Sequence, residues 1–477
     1  MPQKTASSYL ERFRKLSALH VTYLKYVGLG ALGADSSALS KCLYFVYNKF
    51  ILTTMLIFTI TLLADICLSF DDLSIVTDDG CIFAGIIVVL FKVMIFQTRR
   101  EQIIRLLRET IEGCDLLCKF PIGGEDKILD KYLTLSRVTF YGFSTMAFFL
   151  VIALLFLVPV ENGELPVRAR YPFDTTKYPW HGIGFFVEAC TISVGLTGII
   201  GMDSLHTNLC NLFLVQLEIL NAHYKNCSNN DQCDAPSDNI DRQENLHATN
   251  RSARCKIFCT FGARYEKENY DPDKIRRGGF TRQFRRSVRN HQRLLAIIDD
   301  FNEVFSAGMF VQMLSSTTMI CLTGFQAALV SSRDKSKCRR GQIVIAVSLC
   351  FEQVRGQSSN TYKFSIYLAA AVSQLFYICW VGNEVMYQSM SLTQSQWLSK
   401  WSDELTVKTG RLLILSMIFS KRTLNLKAGV FYVLSMETFT AVSICRKKAT
   451  FNDLSYSQTG RVSRDKSGFI RKIDCSN

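Results

Sequence analysis

The chain has 477 residues, 48% of them apolar, with 55 Lys and Arg against 41 Asp and Glu for a formal net charge of +14. The apolar residues gather into long runs and the basic residues into alternate loops, so the charge follows membrane topology and argues against a nucleic-acid partner. The 17 cysteines lack the spacing of a secreted disulfide framework, and the polar, mixed residues 1–30 predict no cleavable signal peptide.

Seven runs are candidate spans, at 47–68, 80–96, 138–160, 183–205, 305–330, 364–385 and 428–445. Each must be helical, since roughly 20 apolar residues cross a bilayer and lipid offers the backbone no hydrogen-bond partner. Six basic residues precede the first run, none lies between the first two, and eight lie between the second and third. Three follow in the next loop and fifteen in the loop before Phe305. The sequence therefore predicts an all-α, seven-span membrane protein with a cytosolic N-terminus and an extracellular C-terminus. The seven basic residues between Ser331 and Lys363, and the eight after Cys445, run against that rule. The predicted organisation is a cytosolic N-terminus at 1–46, four spans within 47–205 and a cytosolic loop at 206–304. The fifth span is 305–330, an atypical extracellular segment fills 331–363, and the sixth span is 364–388. The two parts of a seventh helix occupy 389–445, followed by a tail at 446–477.

In chain order, the first feature inside a span is Lys92, near the predicted cytosolic end, where snorkelling accounts for it. The stretch 97–120 carries Ile103, Leu106, Leu107 and Ile111 at helical spacing, which predicts a cytosolic extension with one apolar face against its neighbours. The loop ENGELPVRARYPFDTTKYPWHGIGF, with Tyr171, Tyr178, Trp180, Pro172 and Pro179, suits either an interfacial anchor or a lid over a pocket. Residues 224–283 form a polar, Cys-rich insertion in which disorder is expected. Cys227, Cys233, Cys255 and Cys259 lie there near His223 and His247, but without zinc-finger spacing, so no metal is predicted. Asn226-Cys227-Ser228 and Asn250-Arg251-Ser252 are glycosylation sequons that would stay unmodified in the cytosol. His181, His206 and His291 have no catalytic partners in sequence, so no enzyme activity, catalytic residue or cofactor is predicted.

At 172–189 the sequence PFDTTKYPWHGIGFFVEA resembles the second extracellular loop and fourth helix of insect odorant receptors. Four further blocks, in the same order, resemble that family: VRNHQRLLAIIDDFNEVFS, VSQLFYICWVGNEVMYQS, SQWLSKWSDELTVKTGRLLILSMI and AGVFYVLSMETFTAV. The resemblance implies a subunit of a ligand-gated, non-selective cation channel in the plasma membrane of olfactory sensory neuron dendrites. It also implies small volatile odorants as ligands and the odorant receptor coreceptor as partner. Four subunits would surround a pore built by the last helix, with candidates Val433, Ser435, Glu437 and Phe439. Trp397, Trp401, Leu412, Leu413 and Leu415 are the implied contacts between subunits. An odorant site should be an apolar cavity with few polar groups. Phe83, Ile87, Phe148, Phe149, Ile152, Phe156, Phe185, Phe186 and Tyr367, in the outer halves of four spans, are the candidates.

A gustatory receptor shares the implied fold, but the Thr-Tyr start and Gln-Phe end of its last helix are missing, with Ser435-Met436-Glu437-Thr438-Phe439 in place. G-protein-coupled receptors need the opposite orientation, and their Asp-Arg-Tyr and Asn-Pro-x-x-Tyr motifs do not occur. A transporter reading finds no internal repeat. Residues 224–283, 332–362 and the tail after Val442 depart from the family pattern, as they would in a non-conducting form carrying translated non-coding sequence.

Overall fold

The computed structural model of the chain describes residues 2–28, 37–71, 73–120, 123–157, 165–175, 177–227, 279–333, 359–404 and 406–441. Nine long helices account for most of them. They are α1 (Pro2–Tyr26), α2 (Ala38–Leu68), α3 (Leu73–Thr98), α4 (Arg100–Cys118), α5 (Glu125–Ile152), α6 (Trp180–Lys225), α7 (Gly279–Arg333), α8 (Ser359–Trp397) and α9 (Val407–Ser420). A π turn, Ala153–Leu157, prolongs α5, and a 3-10 turn, Trp401–Glu404, links α8 to α9. Strands β1 (Lys427–Ala428) and β2 (Tyr432–Val433) pair antiparallel, with Lys427 opposite Val433.

Among the described residues five helical stretches are long and apolar enough to cross a membrane: Ala38–Leu68, Ile75–Thr98, Glu125–Phe156, Trp180–Lys225 and Gly279–Gly324. They carry the first five predicted runs, and α8 carries the sixth. With 46 and 55 residues, α6 and α7 measure about 70 and 80 Å at about 1.5 Å per residue. The hydrocarbon core is about 30 Å thick, so both helices project far beyond it. The projecting halves build a second helical layer with α1, α4 and the end of α8. There α4 buries Ile103, Leu106, Leu107, Ile111 and Leu117, the face its periodicity predicts. The α1 helix buries Leu10, Phe13, Leu16, Ser17, His20 and Leu24, one stripe of an amphipathic helix.

The centre of both layers is α6, which is buried without interruption from Ile200 to Leu217. Burial on every side suits such a site, and the polar side chains of this helix make contacts with α1, α4, α5 and α8. Asn208 donates to Ser17 of α1 at 2.9 Å, Asn211 to Ser136 of α5 at 2.8 Å, and Gln216 to the Thr110 carbonyl of α4 at 3.0 Å. Asn221 donates to Ser391 of α8 and accepts from Ser395, at 2.9 and 2.7 Å.

Four boundaries differ from those the sequence predicts. The polar insertion does not begin at 224, because α6 runs to Lys225 and Tyr224 packs on Phe284 of α7 at 5.3 Å. Nor does it reach 283, since Phe280 and Phe284 are buried in the core; residues 228–278 lie outside the described residues, as do 334–358 and the tail 442–477. The sixth helix continues unbroken to Trp397. The apolar run 428–445 is not one helix: the β1–β2 hairpin occupies its start, and helix resumes only at 436. Two local signals explain this. Gly429 turns the chain at φ 65°, a conformation open to glycine, and Ser435 caps the new helix by accepting from the Thr438 amide at 3.2 Å.

Candidate functional site

Residues 165–175 cross one end of the bundle as a strap. Its anchor is Val167, buried with Phe58 and Leu62 of α2, Leu155 of the π turn and Ile192 of α6 in an apolar cluster separate from the main core. Phe83 and Ile86 of α3 and Val151 of α5 pack around it. Polar contacts tie the strap down at three points. The Arg170 amide donates to the Thr61 carbonyl at 3.3 Å, Arg168 Nε to Asp65 Oδ2 at 3.2 Å, and the Val167 amide to Glu188 Oε2 at 3.1 Å. Tyr171, Phe173 and Trp180 stack in series, with centroids 5.3 and 5.0 Å apart. Burial, and then the neighbouring Glu188 carboxyl, raise the Tyr171 phenol above its ordinary pKa. The strap is thus a fixed roof over an apolar cluster.

The predicted ligand candidates divide around this roof. Phe83 lines the cluster, and Ile152 and Phe185 are half-buried. Ile87, Phe148, Phe149, Phe156 and Phe186 turn away from the bundle. Phe148 pairs with Phe149 at 5.8 Å, and Phe186 with Phe50 at 6.5 Å. The side chain of Tyr367 lies outside the described residues.

Lys92 does not snorkel. It is 3% exposed and forms an ion pair with Asp203 of α6, while also donating to Gln312 Oε1 of α7. Asp203 further accepts from Gln312 Nε2 at 3.1 Å and from Gln374 Nε2 of α8 at 2.5 Å. An ammonium with partners on two helices this close has no reason to reach for the interface. His206, one turn on, packs on Phe301 and Phe305 with centroids 4.9 and 5.5 Å away. Sequence reasoning singled out Lys92 and missed Asp203 and Glu188, although both are charges inside the predicted span 183–205. That rarity was the available signal.

At the far end, Leu413 of α9 is buried with Thr409, Ser416 and Ser420. Leu412 and Trp401 pack against the core, while Leu415 and Trp397 are exposed, the latter 5.5 Å from Trp401. Ile414, Ile418 and Phe419 extend that exposed apolar face. Of the predicted pore residues, Val433 sits in β2 and Ser435 is the helix cap. Glu437 is exposed in the short helix 436–441, and Phe439 meets Phe376 of α8 at 5.4 Å. Cys227 Sγ faces the His223 carbonyl at 3.1 Å; Cys233, Cys255, Cys259 and His247 lie outside the described residues.

The family described as 7tm Odorant receptor matches residues 72–337 and 342–444. The chain belongs to that family. Odorant receptor 85c of Drosophila melanogaster is 26% identical over 155 residues, covering 32% of this chain and 33% of its own. Odorant receptor 83a of the same fly is 23% identical over 290 residues, covering 59% and 58%. The alignment thus spans about a third of the first relative and somewhat over half of the second. The insect olfactory receptor OR5 from Machilis hrabei, solved alone and in complex with eugenol, covers 92% of this chain and 97% of its own at 13% and 14% identity, with TM-scores of 0.69 and 0.67. At that identity the likeness is one of fold; family membership and the five membrane-long apolar helices make the chain a membrane-embedded helical protein.

Proposed function

We propose that this odorant receptor is the ligand-binding subunit of a ligand-gated, non-selective cation channel, formed with the odorant receptor coreceptor in the plasma membrane of olfactory sensory neuron dendrites. The observation that carries the reading is the separate apolar cluster, roofed by a strap pinned at three points, in a chain of odorant receptor family. Small volatile molecules match such a site, which buries an apolar body and discriminates by shape. Phe83, Ile152 and Phe185 are the candidates nearest the cluster; Ile87, Phe148, Phe149, Phe156, Phe186 and Tyr367 belong to the same outer region. The apolar face of α9, with Trp397 and Leu415, suits burial against another subunit, since soluble surfaces rarely expose such patches. In this reading Val433, Ser435, Glu437 and Phe439 lead into the pore wall, with the N-terminus cytosolic.

Whole-cell recording during a panel of volatiles, with and without the coreceptor, tests the proposal. The expected result is a cation current that needs the coreceptor and persists when G-protein signalling is blocked. Silence across the panel, with both proteins shown at the surface, refutes it. An antibody to an N-terminal tag should label only permeabilised cells, and labelling of intact cells overturns the orientation.

A further inference from the structure

The cluster beneath the strap holds polar atoms that the fold leaves unused. Glu188 is 0% exposed, and its Oε2 accepts from the Val167 amide. Among the described residues its Oε1 is buried without a hydrogen-bond partner, as are Thr191 Oγ1 and the Tyr171 hydroxyl. Glu188 and Thr191 are one turn apart on the same face of α6, next to Ile192 of the apolar cluster. Tyr171 descends from the strap close enough for the Glu188 carboxyl to act on its phenol. A buried polar atom without a partner carries a desolvation penalty, which a complementary atom on a ligand removes.

We propose that Glu188, Thr191 and Tyr171 form the polar end of the ligand site, and that the ligand is a small apolar molecule bearing a hydroxyl, an alcohol or a phenol. This rests on the ligand-binding reading given above. The argument is one of complementarity. With the Glu188 carboxyl ionised, Oε1 accepts a hydrogen bond, while the Thr191 and Tyr171 hydroxyls have hydrogens to donate. A ligand hydroxyl donates to the first and accepts from the others. A ketone, ether or ester only accepts and leaves Oε1 unpaired, and an ammonium accepts nothing. The apolar remainder lies against Val167, Ile192 and Phe83, where shape sets the size of the body.

The test is direct binding to the purified full-length chain in detergent, read as thermal stabilisation and as an affinity. The probes are straight-chain alcohols and simple phenols, each beside its own methyl ether. The expected result is that at least one hydroxyl compound binds about tenfold or more tighter than its ether, the range for leaving one buried group unpaired. Glu188→Met should erase that difference by weakening the alcohol while the ether is unchanged. Since Glu188 also holds the Val167 amide, Thr191→Val and Tyr171→Phe provide variants that leave that bond intact. Each should narrow the preference several-fold at equal or higher thermal stability without ligand. Equal affinity for alcohol and ether, a preference unmoved in Thr191→Val and Tyr171→Phe, or no hydroxyl compound binding at all would overturn the inference. Binding with the expected preference but no current in cells would instead refute the channel reading and leave this one standing. Currents evoked only by compounds without a hydroxyl would do the reverse.

Discussion

The Lys92–Asp203 pair allows a quantitative test of how this bundle is held together. Asp203 accepts from three donors, Lys92, Gln312 and Gln374, on three different helices. Asp203→Leu therefore strands a buried ammonium on a single acceptor, Gln312 Oε1, and removes the acceptor from two amides. Lys92→Met is milder, because the carboxylate keeps both amide donors. Removing one partner of a buried pair costs about 3–5 kcal/mol, so about 3 kcal/mol is expected for Lys92→Met and about 5 for Asp203→Leu. Replacing both by apolar residues removes the uncompensated charge. The double variant should then cost only about 2–3 kcal/mol, for the glutamine amides left over. The single costs sum to about 8 kcal/mol, so the cycle predicts a coupling of roughly 5. Denaturant titration of the purified chain in detergent measures each term. Single variants within about 1 kcal/mol of the parent, or a double variant costing the full sum, would refute the network as a structural element.

Four other outcomes are expected. His20 is buried in α1, its Nδ1 2.7 Å from the Leu16 carbonyl and its ring 4.5 Å from Phe140, and burial lowers its pKa to about 4. The unfolded chain takes up that proton near 6.5, so stability should fall between about pH 6.5 and 4 and be flat above. The loss is at most about 3 kcal/mol; an equal pH slope in His20→Gln and the parent would refute it. A Cβ on Gly382 would stand 2.4 Å from the Leu434 carbonyl oxygen, so Gly382→Ala should cost about 1–3 kcal/mol and speed tryptic cleavage at Lys427, and an unchanged digest would count against it. Val167→Ser removes the strap's apolar anchor, and hydrogen exchange should quicken across 165–175 while α4 keeps its protection. Leu415→Asp on the exposed face of α9 should leave the chain folded but reduce co-purification with the coreceptor, whereas the buried Leu413→Asp should unfold α9. Equal co-purification of the Leu415 variant and the parent would argue against that face as a contact.

What the sequence revealed divides along physical lines. Runs of apolar residues are a property of composition, and the first six of them fall on helices. The amphipathic face of α4 was equally legible, since it depends on spacing alone. The helix α1 was open to the same reading, with Leu10, Phe13, Leu16, His20 and Leu24 at helical spacing, but polar residues between them disguise it. Hydropathy cannot separate a span from an apolar hairpin, and so 428–445 read as one helix although Gly429 and Ser435 break it. Partners at long range were out of reach. Lys92 and Asp203 are 111 residues apart, and only folding shows that they meet. The direction of an aromatic ring is similar: Phe83 and Phe149 look alike in sequence, yet one lines the strap cluster and the other faces away.

The contacts of α8 connect the helix that holds the strap to the segment that carries the hairpin. One side of α8 is bonded to α6, through Gln374 to Asp203 in the membrane layer and through Ser391 and Ser395 to Asn221 in the projecting layer. The other side holds the last segment of the chain. Gly382 admits Leu434 to the helix surface, Ser389 accepts from the Leu424 amide at 3.1 Å, and Gln396 donates to Ser420 at 2.7 Å. Several of these contacts, at Gly382, Ser389, Ser391 and Ser395, use short side chains or none and have little reach. A shift of α8 by one residue, about 1.5 Å along its axis, therefore breaks both sets together. The hairpin has a second clamp on α7, where Asn302 donates to the Asn425 carbonyl and accepts from the Lys427 amide, at 3.0 and 2.8 Å. Gln312, two to three turns further along the same helix, joins the Asp203 network. Both helices that hold the hairpin thus also hold Asp203, and Asp203 lies on α6, the helix whose Glu188 secures the strap. The strap and the hairpin are therefore both attached to this set of three helices, which meet at one buried carboxylate.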